Sequence, residues 1–168
     1  CEIVRLAGAG KDLLRVSRFA SDTGGCGADF SGGVRDLEPR KRGTYVGAVY
    51  FRNATEPYVS LALARDGGNA GVTLAETSLR AVNGVVRSVK SGESGYAFLV
   101  DGSGRVVAGP DTGTLRQHFD LSRLSEHDPG AVQSGLTGVP VLSAQAAIPT
   151  TGWRVFVELP TTEARQPL

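Results

Sequence analysis

The sequence predicts an α+β fold in which two small antiparallel β-sheet modules are joined by one helix. Short apolar strands and glycine turns fill both halves of the chain, whereas only Leu79–Val89 repeats apolar residues at three- and four-residue spacing. An internal repeat supports two modules, because Leu6–Val16 can be aligned with Leu99–Val107 so that glycines fall on glycines. Each half also closes on a strand that ends in an acid, Glu76 or Glu158, before a helical segment begins.

The first half contains two groups of predicted strands separated by a long loop. Residues 2–18 read as a strand, a glycine turn and a second strand. Residues 21–43 are rich in Gly, Ser, Asp and Pro, which predicts a loop with a short helical turn near Val34–Leu37. Short turns then join three strands into an expected antiparallel meander: Thr44–Phe51, Tyr58–Ala64 and Gly71–Ala75.

The predicted linking helix covers Leu79–Val89. Thr77 or Ser78 supplies its candidate N-cap, and Ser91-Gly92 ends the periodic pattern. Gly84 inside this segment costs about 1 kcal/mol relative to alanine. The helix is therefore expected to depend on packing against the rest of the protein.

The second half opens with a predicted β-hairpin at Gly95–Asp111. The apolar strand Tyr96–Val100, the turn Asp101–Gly104 and the strand Arg105–Ala108 follow one another directly. Asp-Gly pairs favour such turns because both residues tolerate positive φ. Gly109-Pro110 ends the second strand, since proline cannot donate to a ladder. A short helix, two strands and a helix start complete the predicted elements: Leu121–Glu126, Val139–Ile148, Trp153–Leu159 and Pro160–Ala164.

Composition places the chain among globular proteins and argues against several classes of partner. The 168 residues are 40% hydrophobic and 21% charged, which suits one ordinary domain or two very small ones. The formal net charge of +1 predicts no nucleic-acid partner, and the basic run Arg40–Arg42 is interpreted as a solvated loop. No stretch approaches the roughly 20 apolar residues of a membrane span. Because methionine is absent and the chain starts at Cys1, we expect an excised segment of a longer protein.

The cysteines and histidines do not form a recognisable metal or catalytic set. Cys1 and Cys26 lack metal-ligand spacing, and His118 and His127 lie far from them, so no metal and no cofactor are predicted. A Cys1–Cys26 disulfide stays open, because it requires an oxidising compartment. Neither histidine lies in a motif that would activate a serine, and Gly102–Gly104 is not followed directly by the helix of a nucleotide-binding motif. No catalytic residues are predicted.

Several motifs, in order and spacing, carry a resemblance to a known family. They are Gly71–Glu76, Gly92–Asp111 and Gly152–Glu158, the last followed by Pro160 and Glu163-Ala164. Over roughly residues 2–164 the chain resembles the double Cache family of extracytoplasmic sensor domains, whose modules have a PAS-like fold. Gly47–Pro57 looks like the version found in front of bacterial histidine kinases and nucleotide cyclases.

The resemblance implies a periplasmic input domain held between two transmembrane helices of a bacterial inner-membrane protein. The parent would be a sensor histidine kinase or a nucleotide cyclase. The implied organisation is a membrane-distal PAS-like module at 1–76, a linking helix at 77–91, a membrane-proximal PAS-like module at 92–164 and a tail toward a membrane helix at 165–168. Small ligands generally bind the distal module in this family.

The residues best suited to hold a small ligand lie in the first module. They supply three amphipathic rings, a guanidinium fork for a carboxylate or phosphate, and an anion at a strand end: Tyr45, Tyr50, Tyr58, Arg52 and Glu76. By the resemblance, Glu76 falls where amino-acid-binding relatives keep an aspartate that holds the ligand amine. No tryptophan lies in this module, so the full amino-acid recognition set is absent. The alternative is that the tyrosines are half-buried strand residues and that Arg52 forms an ion pair within its own turn.

Three functions are compatible with these features. The favoured one is a ligand-sensing input domain that binds a small polar metabolite, amine- or carboxylate-bearing, and relays the signal to a cytoplasmic kinase or cyclase. The alternative is a non-binding structural or dimerisation spacer of the same fold, and a homodimer is left open. An open polar cavity would favour sensing, whereas a cavity filled by side chains would favour the spacer. Catalysis is the least favoured, because no activated nucleophile, metal set or phosphate loop is visible.

Overall fold

The computed structural model describes residues 2–18, 21–25, 27–53, 56–65, 71–122 and 132–164. The chain forms two compact units, Cys1–Ser78 and Leu79–Leu168, and each contains one antiparallel sheet. The predicted α+β fold with two antiparallel modules is confirmed. The cysteine pair, His127, most of the helix expected at 121–126 and the tail at 165–168 lie outside the described residues.

The described residues of the first unit form a seven-stranded sheet and one helix. Its elements are β1 (Glu2–Leu6), β2 (Asp12–Ser17), β3 (Thr23–Gly24), α1 (Val34–Arg42), β4 (Thr44–Val46), β5 (Tyr50–Arg52), β6 (Glu56–Ala64) and β7 (Val72–Ser78). Along the sheet the order is β3-β2-β1-β7-β6-β4, and β5 also pairs with β6. The predicted meander is therefore present, and its last strand β7 pairs with the first strand of the chain.

One face of this first sheet passes directly from an apolar core into a charged region. Strands β1 and β7 pair in the register Val4↔Leu74 and Glu2↔Glu76. Because side chains alternate between faces with a period of two, both acids lie on the core face, one step beyond the apolar pair. The buried cluster on this face consists of Val4, Leu6, Ala62, Val72 and Leu74, with Phe30 and Tyr45 packed against it.

Helix α1 is longer than the turn predicted at Val34–Leu37, since it spans nine residues, Val34–Arg42. The apolar residues at the two ends of the predicted turn are 58% and 40% exposed. The helix instead buries Asp36, which accepts a hydrogen bond of 2.7 Å from Arg40 Nη2, and Arg40 also donates to the carbonyl of Ala7 at 3.0 Å. Pro39 is the one apolar residue of this helix that is buried, so apolar periodicity could not predict its length.

The strand predicted at Thr44–Phe51 is interrupted by a one-residue shift in register. Strand β4 pairs with β6 as Val46↔Leu61, whereas β5 pairs with it as Tyr50↔Tyr58. Three residues of the first strand thus face two of β6, which is the arrangement of a β-bulge. The extra residue turns Tyr50 onto the same face as Tyr58, where an uninterrupted strand would have placed it on the opposite face.

In the second unit, the part of the chain that the structure describes forms a six-stranded sheet and two helices. Its elements are α2 (Arg80–Ser88), β8 (Lys90–Ser91), β9 (Gly95–Val100), β10 (Val106–Ala108), β11 (Val132–Ser134), β12 (Pro140–Ile148), β13 (Trp153–Pro160) and α3 (Thr161–Ala164). The strand order is β10-β9-β13-β12-β11, with β8 also paired to β9. The second sheet thus repeats the arrangement in which the closing strand lies at the centre.

The predicted hairpin is confirmed as β9 and β10. The Asp101 carboxylate accepts hydrogen bonds from the backbone N–H groups of Ser103 at 2.9 Å and Arg105 at 3.1 Å. Gly104 adopts a φ of +87°, a value that glycine reaches without steric strain. These contacts agree with the turn-forming role predicted from the Asp-Gly pair.

The predicted N-cap of the linking helix is wrong. Strand β7 continues through Ser78, which pairs with Tyr58, so Thr77 and Ser78 belong to the sheet. Leu79 occupies the N-cap position of α2 without a side-chain cap. The sequence does not predict the strands β3, β8 and β11 either. Each has only two or three residues, which is too few to show an alternating pattern of apolar and polar side chains.

Candidate functional site

Four of the five predicted site residues come together at one end of the first sheet. The rings of Tyr50 and Tyr58 stack with centroids 6.0 Å apart and an interplanar angle of 28°. The guanidinium carbon of Arg52 lies 4.5 Å from the Tyr58 centroid and 5.7 Å from the Tyr50 centroid. Such contacts hold a cation against aromatic faces by electrostatic attraction to the ring quadrupole. The two tyrosines therefore form a platform for Arg52.

The fourth residue, Glu76, is held by two arginines. Its Oε2 accepts a hydrogen bond from Arg52 Nη2, and its Oε1 accepts one of 3.0 Å from Arg35 Nη1. Arg52 Nη2 also donates to the Tyr50 hydroxyl at 3.3 Å. The Glu76 side chain is 21% exposed, so it remains within reach of solvent. We call this set the arginine–glutamate bridge: Arg35, Arg52 and Glu76.

The Tyr50 hydroxyl stays protonated beside this bridge. Partial burial, followed by its contact with the Glu76 carboxylate, raises the pKa of Tyr50 above its usual value of 10.0. A neutral phenol can donate to one partner and accept from another. Tyr50 therefore contributes a hydroxyl, and no charge, at physiological pH.

The fifth predicted residue, Tyr45, lies elsewhere on the same unit. It belongs to β4 and packs against the apolar cluster of the first sheet. It also lines a shallow cleft of about 400 Å³ that includes Phe30 and Arg35. Tyr45 is therefore separated from the two stacked tyrosines, although Arg35 contributes to both places.

A second cleft, of about 240 Å³, lies over the charged end of the core face. Its floor is apolar and its walls carry two acids and two arginines. Ligand pockets for drug-sized molecules usually measure roughly 300–1,000 Å³, so this cleft suits a smaller metabolite. We call it the β1–β7 cleft, and its lining consists of Glu2, Val4, Arg15, Phe30, Arg35, Leu74 and Glu76.

The sequence predicted only Glu76 among the charged residues of the β1–β7 cleft. Arg35 lies in the helical turn predicted at Val34–Leu37, but no local signal indicates that this turn packs beside Glu76 of β7. Glu2 and Arg15 were missed because their position depends on pairing between distant strands, Glu2↔Glu76 in β1–β7 and Val4↔Arg15 in β1–β2. No local signal in the sequence specifies that register.

An ion pair closes the other wall of the β1–β7 cleft. Arg15 Nε lies 3.3 Å from Glu2 Oε1 and 3.8 Å from Asp12 Oδ2. The Asp12 side chain is fully buried, whereas the Glu2 side chain is 28% exposed. Glu2 is thus the acid of this pair that a ligand could touch.

The described ranges contain neither a metal-binding cluster nor a membrane-spanning helix. Within them, no group of three or more His, Cys, Asp or Glu side chains is placed to hold a metal ion. No helix of these ranges has the length and apolar character needed to cross a bilayer. His118 is exposed, and Trp153, the one tryptophan of the sequence, is 9% exposed in the second unit.

The sequence profile of the Cache domain family, in its dCache_1 form, matches residues 19–168. The chain belongs to this family. It is a double Cache sensor domain built from two antiparallel, PAS-like modules, as the sequence motifs predicted. The double Cache family consists of extracytoplasmic sensor domains, and the chain is a domain of this class.

One curated relative of this double Cache chain is a chemotaxis receptor. Methyl-accepting chemotaxis protein PctB of Pseudomonas aeruginosa is 36% identical over 89 residues. The match covers 45% of this chain and 14% of that relative, so the chain corresponds to a small part of the receptor's length.

Solved structures of similar fold include domains from two kinds of receptor. The PctB ligand-binding domain in complex with L-Gln has a TM-score of 0.64 at 21% identity, with 99% of this chain covering 71% of that one. The ligand-binding domain of Campylobacter jejuni chemoreceptor Tlp3, in complex with 4-methylisoleucine, has a TM-score of 0.73 at 15% identity, with 99% covering 68%. The extracellular domain of the histidine kinase candidate mmHK1S-Z2 has a TM-score of 0.65 at 18% identity, with 90% covering 64%. At these identities the likeness establishes the fold.

The second Cache module carries an acid in the position that corresponds to Glu76. Glu158 lies on the closing strand β13, with Tyr96 beside it on β9 and Ser143 on β12. Its Oε2 accepts hydrogen bonds from the Tyr96 hydroxyl at 2.6 Å and from the Leu136 N–H at 2.9 Å. Burial raises the pKa of Glu158 above 4.5, and burial together with Glu158 raises the pKa of Tyr96 to about 12.

The space beside Glu158 is filled by aromatic rings. Phe98 and Phe156 stack at 4.9 Å with an interplanar angle of 7°, and Phe119 lies 4.7 Å from Phe156. Phe98 and Phe156 are register partners, as Val4 and Leu74 are in the first module. The smaller aliphatic pair leaves room for the β1–β7 cleft, whereas two phenylalanines close the corresponding place.

Proposed function

We propose that this chain is the ligand-sensing input domain of a transmembrane signal-transduction protein and that it binds a small polar metabolite in the β1–β7 cleft. The domain relays binding to a cytoplasmic output by favouring one of two conformations. A ligand shifts such an equilibrium only by its difference in affinity for the two states. The β1–β7 cleft suits such a difference in affinity, because its lining residues come from several elements, among them β1, β2, β7 and α1.

One observation carries the proposal. The core face of the first sheet ends in an open cleft with four charged lining residues, and the matching face of the second sheet is closed by Phe98 and Phe156. Buried or half-buried charges without a role in packing are unfavourable, so a cluster of them around a cleft favours a binding site. An open polar cleft also favours sensing over the alternative of a non-binding structural or dimerisation spacer.

The similar proteins support a metabolite of amino-acid size. The PctB and Tlp3 domains are solved with L-Gln and with 4-methylisoleucine. The chemotaxis receptor PctB supports a chemoreceptor as the parent protein, and mmHK1S-Z2 supports a histidine kinase.

The proposed setting is the extracytoplasmic side of a bacterial inner membrane, with a membrane-anchored parent. The first module, residues 1–76, is the membrane-distal one and holds the ligand, and 77–91 is the linking helix. The second module, residues 92–164, is membrane-proximal, and residues 165–168 lead toward a membrane helix. A homodimer of the parent is part of the same proposal, because signalling across a membrane commonly couples two copies.

The test is a thermal-shift screen of the purified domain against amino acids, amines and carboxylates, followed by calorimetry on each compound that raises the melting temperature. Saturating ligand at a hundredfold excess over Kd stabilises the folded state by about 2.7 kcal/mol, a readily measured shift. If no compound in these classes stabilises the domain, the spacer is favoured and the sensor function is rejected.

A pair of variants locates the site. Leu74→Phe introduces into the first module the ring that closes the second, and we expect it to abolish binding. The matched control is Leu63→Phe, because Leu63 is 57% exposed and lies outside the β1–β7 cleft. Full binding by a correctly folded Leu74→Phe domain would place the ligand somewhere else.

A further inference from the structure

The second module encloses a carboxylate that has hydrogen-bond donors on one oxygen and none on the other. Glu158 is 0% exposed. Both of its hydrogen bonds go to Oε2, from the Tyr96 hydroxyl at 2.6 Å and the Leu136 N–H at 2.9 Å. Oε1 is buried and has no hydrogen-bond partner among the described residues. A buried charge that is incompletely hydrogen-bonded is costly, so this arrangement disfavours the ionised carboxylate.

The hydroxyl on the neighbouring strand does not supply the missing donor. Ser143 on β12 is the register partner of Glu158, so the two side chains lie on the same face of the sheet. The Ser143 Oγ is nevertheless buried without a hydrogen-bond partner in the described part of the chain. A hydroxyl that donated to Oε1 would favour the ionised form. Glu158 therefore keeps an unpartnered oxygen.

The strands around Glu158 bring no neutralising charge to it. Lys90 on β8 faces Tyr96, one strand further from Glu158, and its side chain is exposed. Arg154, on the same strand as Glu158, donates to Gln145 Oε1 at 3.2 Å. Strand β12 contains no charged residue, and Tyr96 is the only titratable residue of β9. Because its pKa is raised to about 12, Tyr96 stays a neutral donor.

The other elements packed on this sheet do not supply a charge either. On α3, the Glu163 carboxylate accepts hydrogen bonds from the backbone at residues 93–94. His118 and Asp120 belong to the segment that covers the aromatic rings, and both are exposed. The turn 135–139 has no charged residue. Within the residues that the structure describes, Glu158 thus forms no ion pair.

We propose that Glu158 is a proton-binding site of the second module and that proton uptake loosens the turn between β11 and β12. The proton comes from solvent and binds to Oε1, which converts the carboxylate into a neutral acid. Burial supports this direction, because it raises the pKa of Glu158 above 4.5. The second module then responds to the acidity around the domain. This input is separate from the β1–β7 cleft and does not require a ligand there.

The ionised carboxylate attaches the turn to the sheet. Residues 135–139 join β11 and β12, and the Leu136 N–H within them donates to Oε2. The Tyr96 hydroxyl, which donates to the same oxygen, also lies 3.2 Å from the Thr137 Oγ1. Hydrogen bonds to an ionised acceptor are roughly twice as strong as those to a neutral one. Protonation of Glu158 therefore weakens the attachment of the turn without changing the strand pairing.

A pH titration of the purified domain, followed by NMR at the Glu158 carboxyl carbon, tests the proton site. We expect a midpoint above pH 4.5, and the Leu136 amide signal should change with the same midpoint. Glu158→Gln, which is neutral at every pH, should remove this transition from the Leu136 signal. The matched control is Glu93→Gln, an exposed acid of the same unit, which should leave the midpoint unchanged.

Tyr96→Phe tests which hydrogen bonds set the midpoint. The variant removes a donor to Oε2, and the ionised form loses more from this than the neutral form does. The proton should then bind roughly tenfold more tightly, which raises the midpoint by about one pH unit. If Tyr96 served only to pack the module, the variant would change stability and leave the midpoint where it was.

Hydrogen exchange tests the effect on the turn. Two pH units above the midpoint, the Leu136 amide should exchange roughly fivefold to tenfold faster in Glu158→Gln than in the unmodified domain, because the acceptor is neutral in the variant. Two units below the midpoint, the two proteins should exchange at the same rate. Comparing them at each pH removes the intrinsic dependence of exchange on pH.

Each contrary result identifies what has failed. A Glu158 midpoint at or below pH 4.5 overturns the proton site, because the folded domain would then bind the proton no more tightly than the unfolded chain. An unchanged midpoint in a folded Tyr96→Phe domain overturns the assignment of the titration to this carboxylate. Equal Leu136 exchange in Glu158→Gln and the unmodified domain above the midpoint overturns the loosening of the turn. If Glu158→Gln does not fold, the titrations of the unmodified domain and of Tyr96→Phe still decide the proton site.

Discussion

The two modules place an acid at corresponding positions and use it in opposite ways. Glu76 on β7 is partly exposed and is shared by two arginines, and Glu158 on β13 is fully buried among aromatic rings and accepts from a phenol and a backbone N–H. Each acid has a serine beside it on the neighbouring long strand, Ser60 on β6 or Ser143 on β12. The strand framework is the same, so the difference lies in the side chains around the acid.

The two modules differ in the volume of the side chains next to this acid. The facing pair of residues that comes next to the acid on the same face is Val4 and Leu74 in the first module. In the second module it is Phe98 and Phe156. Aromatic side chains bury large areas and pack with specific ring geometry. The second module therefore fills this position with packed rings, whereas in the first module the smaller pair lines the β1–β7 cleft.

The largest expected effect is on packing in the second module. Phe156→Ala should lower the free energy of unfolding by about 3–5 kcal/mol, because it removes a fully buried ring that contacts two others. Leu74→Ala at the corresponding place should fall near the low end, about 2 kcal/mol, because Leu74 borders an open cleft. Chemical denaturation of both variants measures the difference, and equal losses would mean that the first module is packed as tightly as the second.

An intermediate effect is expected at Glu158. Its Oε1 has no hydrogen-bond partner among the described residues, and burial raises its pKa, so the folded state disfavours the ionised form. Glu158→Gln should therefore stabilise the domain at pH 7 by about 1 kcal/mol. In the unmodified domain, the contribution of Glu158 is most favourable below pH 4.5 and declines as the pH rises through the raised folded-state pKa. Thermal melts of both proteins across this pH range measure the effect. In Glu158→Gln, stability should no longer show the part of its pH dependence that Glu158 contributes, and a pH dependence identical to that of the unmodified domain would contradict the prediction.

The smallest effect is expected at Glu76, with the opposite sign. Glu76→Gln removes the shared anchor of Arg35 and Arg52, whose side chains are 45% and 42% exposed. Ion pairs at such exposure contribute about 0–1 kcal/mol, so the variant should lose no more than about 1 kcal/mol of stability. A loss of several kcal/mol on denaturation would indicate that the bridge is a structural core of the module, as Phe156 is in the other.

The elements with strong local chemistry could be predicted from sequence. The β9–β10 hairpin follows from Asp101 and Gly104, whose contacts lie within five residues of the chain. Strands β6, β7, β12 and β13 follow from apolar and β-branched runs between turns. The full length of helix α1 could not be predicted, because Arg40 attaches it to the Ala7 carbonyl and both Val34 and Leu37 are exposed.

The site was predicted in part for the same reason. Tyr50, Arg52 and Tyr58 lie close together in sequence and on one hairpin, so their contact could be expected. Glu2, Arg15 and Arg35 reach the cleft only through strand pairing and helix docking over long stretches of chain. Their roles depend on tertiary register, which residue type and spacing do not encode.

The number of residues between β4 and β5 determines the one-residue register shift between these two strands. Deleting one residue from 47–49 would remove the extra residue and turn Tyr50 and Arg52 toward the opposite face of the sheet, although neither residue had changed. Arg35 would then be the sole arginine on Glu76. Related chains that differ by a single insertion or deletion here can therefore differ in the arginines that hold this acid while every one of these side chains stays identical.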